Sequence, residues 1–310
     1  MPHRFLQFNV VLGCCIASLA GAGLAQQAGG GAFTFRASVG EVLVQANVLD
    51  RHGRSINDLP QSDFTILENG VRQKIDSFSH DDAPVSVGIL VDNSGSMQSK
   101  RIKVDQAALN FVRASNLQDE VFIVKFNDEY HLASPFTNSI PQLEQGLGDI
   151  DPQAGTAMND AIIRSVEYLN QKGKHPKKVL LLITDGQDDA SSHSLPQTIR
   201  MIQSQDAPVI YCIGLLDRED SKAVQRDSQK VLIQIANETG GAAYFPKDLD
   251  QVDAITRKVA QDIRLQYSLV YRSNQPPPGY HAITLEVSDP HLKHLKAHTR
   301  RGYYRTGDVE

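Results

Sequence analysis

The chain has 310 residues, a net charge of −5 at pH 7 and no tryptophan. This length is enough for one large core, or for one large core and a small one. The negative charge argues against a nucleic-acid-binding surface. The basic residues near the C-terminus are interleaved with apolar ones and indicate the solvated face of a strand, with a patch for an anionic partner as the alternative; they are Lys293, Lys296, Arg300, Arg301 and Arg305.

The N-terminus has the pattern of an export signal. Arg4 supplies a positive charge, residues 5–25 are uncharged and mostly apolar, and Gly23 and Ala25 are small residues suited to a cleavage site. We predict a signal peptide over residues 1–25 and an exported protein that is periplasmic, attached to the cell surface or secreted. Two alternatives stay open. In the first, the segment is not cleaved and serves as a membrane anchor, since about 20 apolar residues span a bilayer. In the second, Cys14 is acylated and the protein is a lipoprotein.

Strand patterns without helices follow a glycine-rich leader at residues 26–32. They occupy residues 33–83, where apolar residues alternate with polar ones and Asn69-Gly70 is a strong hairpin signal. The predicted strands cover residues 42–48, 64–68 and 71–78.

Strands alternate with amphipathic helices between residues 84 and 265. The strand at residues 85–91 is a nearly continuous apolar run, as expected for a parallel strand that is covered on both faces. This alternation predicts an α/β domain with a doubly wound, mostly parallel, Rossmann-like sheet and helices on both faces. Further strands are predicted at residues 121–126, 131–136, 179–184, 209–215 and 242–245, and helices at 104–112, 157–169, 194–203, 224–237 and 249–263.

Strand patterns return in residues 266–310. We predict strands at residues 266–272 and 282–287, and a third over residues 297–305. Each flanking segment, of about 50 residues, is too short for a core of its own. We therefore expect the two to form one small β-sandwich into which the α/β domain is inserted; two independent appendages are the alternative.

Five oxygen-bearing side chains follow the ends of predicted buried strands or precede a predicted helix. Ligands of doubly wound sheets bind beyond the carboxyl ends of the strands, so these side chains are expected to meet at one edge. Carboxylates and hydroxyls are the hard ligands that Mg²⁺ and Mn²⁺ prefer. Each motif alone also suits a turn or a helix N-cap, but together they favour a metal site. The residues are Asp92, Ser94, Ser96, Thr156 and Asp185.

In this order the five residues resemble the metal-ion-dependent adhesion site of von Willebrand factor type A domains. The resemblance implies direct coordination of Mg²⁺ or Mn²⁺ by Ser94, Ser96 and Thr156. It implies that Asp92 and Asp185 act mainly through bound waters, and that a Glu or Asp carboxylate of a protein partner completes the coordination.

The resemblance extends over roughly residues 84–265. The flanking residues 63–70 and 301–303 resemble a group of secreted acidobacterial proteins with type A domains. Asp188 and Asp189 extend the acidic edge and are interpreted as solvated or supporting residues.

The predicted function is that of a non-enzymatic adhesion module that binds a protein, does not bind nucleic acid, and contacts a membrane only if the N-terminal segment is uncleaved. One alternative is a Mg²⁺-dependent phosphotransferase-like hydrolase with Asp92 as the nucleophile. Such an enzyme would require a carboxylate as general acid two residues after Asp92, where this chain has Ser94. Another is a structural or assembly protein whose metal stabilises the fold. The sequence has no Gly-x-Ser-x-Gly elbow and no His-Glu-x-x-His motif.

Overall fold

The computed structural model describes residues 40–148, 155–217, 220–274 and 278–305. The predicted signal peptide and leader lie outside the described residues. The strands are β1 (Glu41–Leu49), β2 (Ser55–Ile56), β3 (Phe64–Glu68), β4 (Val71–Gln73), β5 (Ile75–Ser79), β6 (Val85–Asp92), β7 (Glu120–Phe126), β8 (Tyr130–Thr137), β9 (Lys177–Thr184), β10 (Val209–Gly214), β11 (Ala243–Tyr244), β12 (Tyr267–Arg272), β13 (Gly279–Val287), β14 (Lys296–Thr299) and β15 (Gly302–Arg305). The helices are α1 (Arg101–Ala114), α2 (Ile140–Gly146), α3 (Met158–Lys172), α4 (Leu195–Ile202), α5 (Lys222–Thr239) and α6 (Asp250–Arg264).

The central sheet has the order β11-β10-β9-β6-β7-β8. Its strands are parallel except β8, which runs antiparallel at one edge. All residues of β6, β7 and β10 are buried, because helices cover both faces of these apolar strands. The prediction of a doubly wound, mostly parallel sheet is confirmed.

The two faces of the sheet form separate cores. Ile89 belongs to the core that contains Phe111 of α1 and Val259 of α6. The next residue, Leu90, points to the opposite face and belongs to the core that contains Ile162 of α3 and Leu232 of α5. Among the described residues, no helix combines the length and the apolar composition that a membrane span requires.

The strands that flank this domain form one β-sandwich. One sheet has the order β14-β1-β12-β5, with β2 also paired to β1, and the other has the order β15-β13-β3-β4. Apolar side chains from both sheets share a single core. Strands β5 and β12 pair with each other, with Ser79 opposite Ser268, so the α/β domain is inserted between two neighbouring strands of the sandwich.

Two predicted strands are wrong because each divides between the two sheets. The strand predicted over residues 71–78 breaks at Lys74 into β4, which pairs with β3, and β5, which pairs with β12. The strand predicted over residues 297–305 breaks into β14 and β15 in the same way. Such crossings close the corners of a sandwich.

Arg300 lies at the second of these corners and is buried, with 7% of its surface exposed. It donates hydrogen bonds to the backbone carbonyls of Ser204 and Gln205, at 2.5 and 2.8 Å. The interpretation of the basic C-terminal run as a solvated face is therefore wrong for this residue. Arg300 instead ties the sandwich to the loop that follows α4.

Lys177, at the start of β9, has a buried side chain whose Nζ donates to the carbonyl oxygen of Ile263. Burial lowers its pKa from 10.5 to about 8. The unfolded chain therefore binds more protons than the folded protein between these pH values. We expect the free energy of unfolding to rise from pH 8 to pH 10.5, by about 3 kcal/mol.

In Lys177→Met this rise will be missing. Urea denaturation of both proteins across this pH range measures it, with Lys103→Met as the control, because Lys103 pairs with Asp250 at the surface. Parallel pH profiles for wild type and Lys177→Met would contradict the expectation.

Candidate functional site

The candidate site lies where the strand order of the central sheet reverses. From β6 the chain adds β7 and β8 on one side, whereas β9, β10 and β11 are added on the other. The crevice between β6 and β9 is thus the switch point at which doubly wound sheets bind ligands. Asp92 ends β6, and Thr184 ends β9 directly before Asp185.

Asp92 is buried, with 3% of its surface exposed. Its Oδ1 accepts a hydrogen bond from the backbone N–H of Ser94 at 2.9 Å, and its Oδ2 accepts one from Thr184 Oγ1 at 2.6 Å. Burial raises the pKa of Asp92 to about 6, although both hydrogen bonds oppose that shift. A cation next to this carboxylate would compensate for the lost hydration.

Two serine hydroxyls and a second carboxylate meet beside Asp92. Ser94 Oγ lies 3.2 Å from Ser96 Oγ, and Ser96 Oγ donates to Asp185 Oδ2 at 2.5 Å. The chain makes this turn because Ser94 precedes a short 3-10 helix, Gly95–Lys100, which leads into α1. The loop after β6 and the loop after β9 therefore bring their oxygen atoms together.

Thr156 reaches the same edge through its backbone. Its N–H donates to Asp189 Oδ1 at 2.7 Å, and its carbonyl oxygen accepts from the N–H of Asp189 at 3.1 Å. The next residue, Ala157, donates to the carbonyl oxygen of Asn127, which directly follows β7. The Thr156 loop is thus held between the ends of β7 and β9. Four of the predicted residues, Asp92, Ser94, Ser96 and Asp185, are linked by direct hydrogen bonds. Thr156 is instead bonded to Asp189, which follows Asp185 in the loop after β9.

Thr184, which anchors Asp92, had no predicted role, and Asp189, which holds Thr156, had only a general one. A hydroxyl at the end of a buried strand was the available signal for Thr184. The contact of Asp189 depends on how two distant loops pack, which no local pattern reports.

Residues 87–187 match the von Willebrand factor type A domain. This part of the chain is similar to type A domains. The matched residues include all five candidate site residues and none of the sandwich strands. The resemblance stated from the sequence is confirmed for the domain.

Individual relatives of the type A domain are distant. Inter-alpha-trypsin inhibitor heavy chain H2 of Sus scrofa is 22% identical over 191 residues, which cover 56% of this chain and 20% of that protein. The open conformation of the pilus adhesin SpaC from Lactobacillus rhamnosus GG has a TM-score of 0.50 at 13% identity, covering 78% of this chain and 48% of that chain. A von Willebrand factor type A protein from Catenulispora acidiphila has a TM-score of 0.48 at 12% identity, covering 87% and 76% of the two chains. The chain thus spans about a fifth of the curated relative, and the structural likeness concerns the fold.

The donor set at this edge of the sheet suits a hard cation. It offers hydroxyl and carboxylate oxygens, and Asp92 is a buried carboxylate without a cationic partner among its hydrogen bonds. Among the described residues, no group of three or more His, Cys, Asp or Glu side chains is arranged to hold a metal ion. The oxygen atoms present at this edge, from hydroxyl and carboxylate groups, suit Mg²⁺ or Mn²⁺ better than zinc.

Proposed function

We propose that this chain is an exported, non-enzymatic binding protein whose type A domain uses Mg²⁺ or Mn²⁺ to coordinate a Glu or Asp carboxylate of a protein partner. Ser94, Ser96 and Thr156 would hold the ion directly, and Asp92 and Asp185 would act mainly through water. When bound, the ion would supply an open coordination position for the partner's oxygen. The N-terminal export pattern supports the localisation.

The observation that carries the proposal is the convergence of Ser94, Ser96 and Asp185 within hydrogen-bond distance. Because only two of the five proposed residues are carboxylates, a divalent ion stays electron-poor and favours one further anionic oxygen. Ser96 is exposed, whereas the other four residues are buried. This difference in burial supports access to the site from the side of Ser96.

The burial of Asp92 also favours binding over phosphotransfer. A nucleophilic carboxylate must reach the phosphorus atom of its substrate. Both oxygens of Asp92 already accept hydrogen bonds, and only 3% of the surface of this residue is exposed to solvent. The name of SpaC states an adhesive role for that protein, and we propose the same class of role here.

Calorimetric titration with Mg²⁺ tests the proposed site. Ser96→Ala removes an exposed hydroxyl without touching the core, so we expect the fold to persist and the Mg²⁺ affinity to fall by about tenfold or more. Ser99→Ala is the matched control, since Ser99 is an exposed serine of the same 3-10 helix. Unchanged Mg²⁺ affinity in Ser96→Ala would count against the proposal.

Asp189→Ala is expected to weaken Mg²⁺ binding although Asp189 is not a proposed ligand. Its carboxylate fixes the backbone of Thr156 at 2.7 Å, and residues that orient metal ligands typically contribute about 10- to 100-fold in affinity. Calorimetry measures the loss, with Asp253→Ala on α6 as the control. Wild-type affinity in Asp189→Ala would show that Thr156 is not positioned by this contact.

A further inference from the structure

A cleft of about 370 Å³ opens beside the proposed metal site. It lies between the start of α3, the loop after β9 and α5. The cleft and the proposed site share a wall, because Gly186 lines the cleft and directly follows Asp185, while Asp189 lines it and binds the backbone of Thr156. A partner bound at the metal would therefore lie against this cleft.

The charged groups of the cleft are mostly carboxylates whose charges are not neutralised. Asp188 accepts hydrogen bonds from the N–H groups of Asn159 and Ser191, and Asp189 accepts one from Thr156. In the described part of the chain, no cationic side chain pairs with either carboxylate. The lining residue His193 is already paired with Asp160, at 2.8 Å. The cleft therefore offers negative charge to a ligand.

Asn159 contributes a buried acceptor to the wall of the cleft. It lines the cleft, is 6% exposed, and its Oδ1 has no hydrogen-bond partner among the described residues. Leu195 and Val231 supply half-buried apolar surface. Hydrogen-bond acceptors with negative charge, next to apolar surface, match a side chain with an aliphatic stem and a cationic, donor-rich end.

We propose that this cleft binds a Lys or Arg side chain of the partner, close in its sequence to the acidic residue that the metal binds. The inference rests on the proposed function and narrows the partner to a surface with adjacent acidic and basic residues. The acidic cleft also excludes partners that have a second acidic residue in place of the Lys or Arg, because that residue would be repelled by Asp188 and Asp189.

A panel of acetylated peptides tests the inference. Each peptide contains one Glu, and at one neighbouring position, which varies through the panel, it has either Lys or Ala. Binding to the Mg²⁺-loaded protein is followed by NMR titration, which detects weak binding. At the best position we expect Lys peptides to bind about fivefold more tightly than Ala peptides, an advantage that added salt reduces. The advantage will disappear in Asp188→Asn and persist in Asp227→Asn, because Asp227 lies on α5 and pairs with Lys230 at the surface.

The outcomes separate the two proposals. Mg²⁺-dependent binding with equal affinity for Lys and Ala peptides, or a Lys advantage that survives in Asp188→Asn, overturns the basic pocket and leaves the proposed function standing. Absence of Mg²⁺-dependent binding for every peptide overturns both. Direct Mg²⁺ titration of Asp188→Asn checks that the metal site is intact in that variant.

Discussion

Replacing Asp92 with asparagine will abolish Mg²⁺ binding and leave the protein folded. Asparagine keeps the shape of the side chain and can still accept the hydrogen bond from the N–H of Ser94. It removes a buried negative charge whose pKa is raised to about 6 by desolvation. At pH 7 the metal-free variant should therefore be at least as stable as the metal-free wild type, since the wild type must keep this carboxylate ionised in a buried position.

Thermal unfolding with and without Mg²⁺ measures both effects. Mg²⁺ will raise the Tm of the wild type, because it binds only the folded state, and will not change the Tm of Asp92→Asn. Asp119→Asn is the matched control. Asp119 is also a buried carboxylate with a raised pKa, but it lies at the opposite, amino-terminal ends of the strands. There it accepts hydrogen bonds from the N–H groups of Val85 and Asn116. A Mg²⁺-dependent rise in Tm in Asp92→Asn would contradict the assignment.

Gly241→Ala will destabilise the domain by about 3 kcal/mol or more. A Cβ atom at this position would lie 2.0 Å from the carbonyl oxygen of Ile210 and 2.7 Å from its carbonyl carbon. Ile210 is in β10, an inner strand of the central sheet, so its backbone cannot move away without breaking the pairing with β9. Urea denaturation gives the change in the free energy of unfolding.

Gly95→Ala is the control for this substitution. Its Cβ would meet no atom within 4 Å, so its effect on stability should stay within about 0.5 kcal/mol. If Gly241→Ala were equally mild, the close approach between the end of α5 and β10 would be contradicted. Gly241→Ala should also affect the candidate site. Helix α5 packs closely on Gly186, which is next to Asp185, because a Cβ atom built at Gly186 would lie only 3.0 Å from the side chain of Ser228 on α5. Displacement of α5 should therefore weaken Mg²⁺ binding.

The sequence predicted the α/β domain well because its signals are local. Continuous apolar runs marked β6 and β9, and the spacing of Val104, Ala108 and Phe111 marked α1. Helix α2 was not predicted, because Leu143 is its one buried residue and a single apolar residue gives no helical periodicity. The division of strands between the sandwich sheets was also missed, since alternation of polar and apolar residues has the same appearance in either sheet.

For the candidate site, the sequence indicated the residues but not the bonds that hold them. The hydrogen bond from Thr184 to Asp92 depends on the register of β6 and β9, in which Val91 lies opposite Ile183. That register is set by packing across the whole sheet. The support of Thr156 by Asp189 likewise joins residues that are 33 positions apart.

The central claim is that a metal ion at this edge leaves one coordination position open for a carboxylate. It is tested most directly by Mg²⁺ titration calorimetry in the presence of N-acetylglutamate or, as the uncharged control, N-acetylglutamine. Because binding of two ligands to one centre is reciprocal, we predict that N-acetylglutamate raises the Mg²⁺ affinity of the wild type and that N-acetylglutamine does not. Equal Mg²⁺ affinity in both solutions, or no Mg²⁺ binding in either, would contradict the claim.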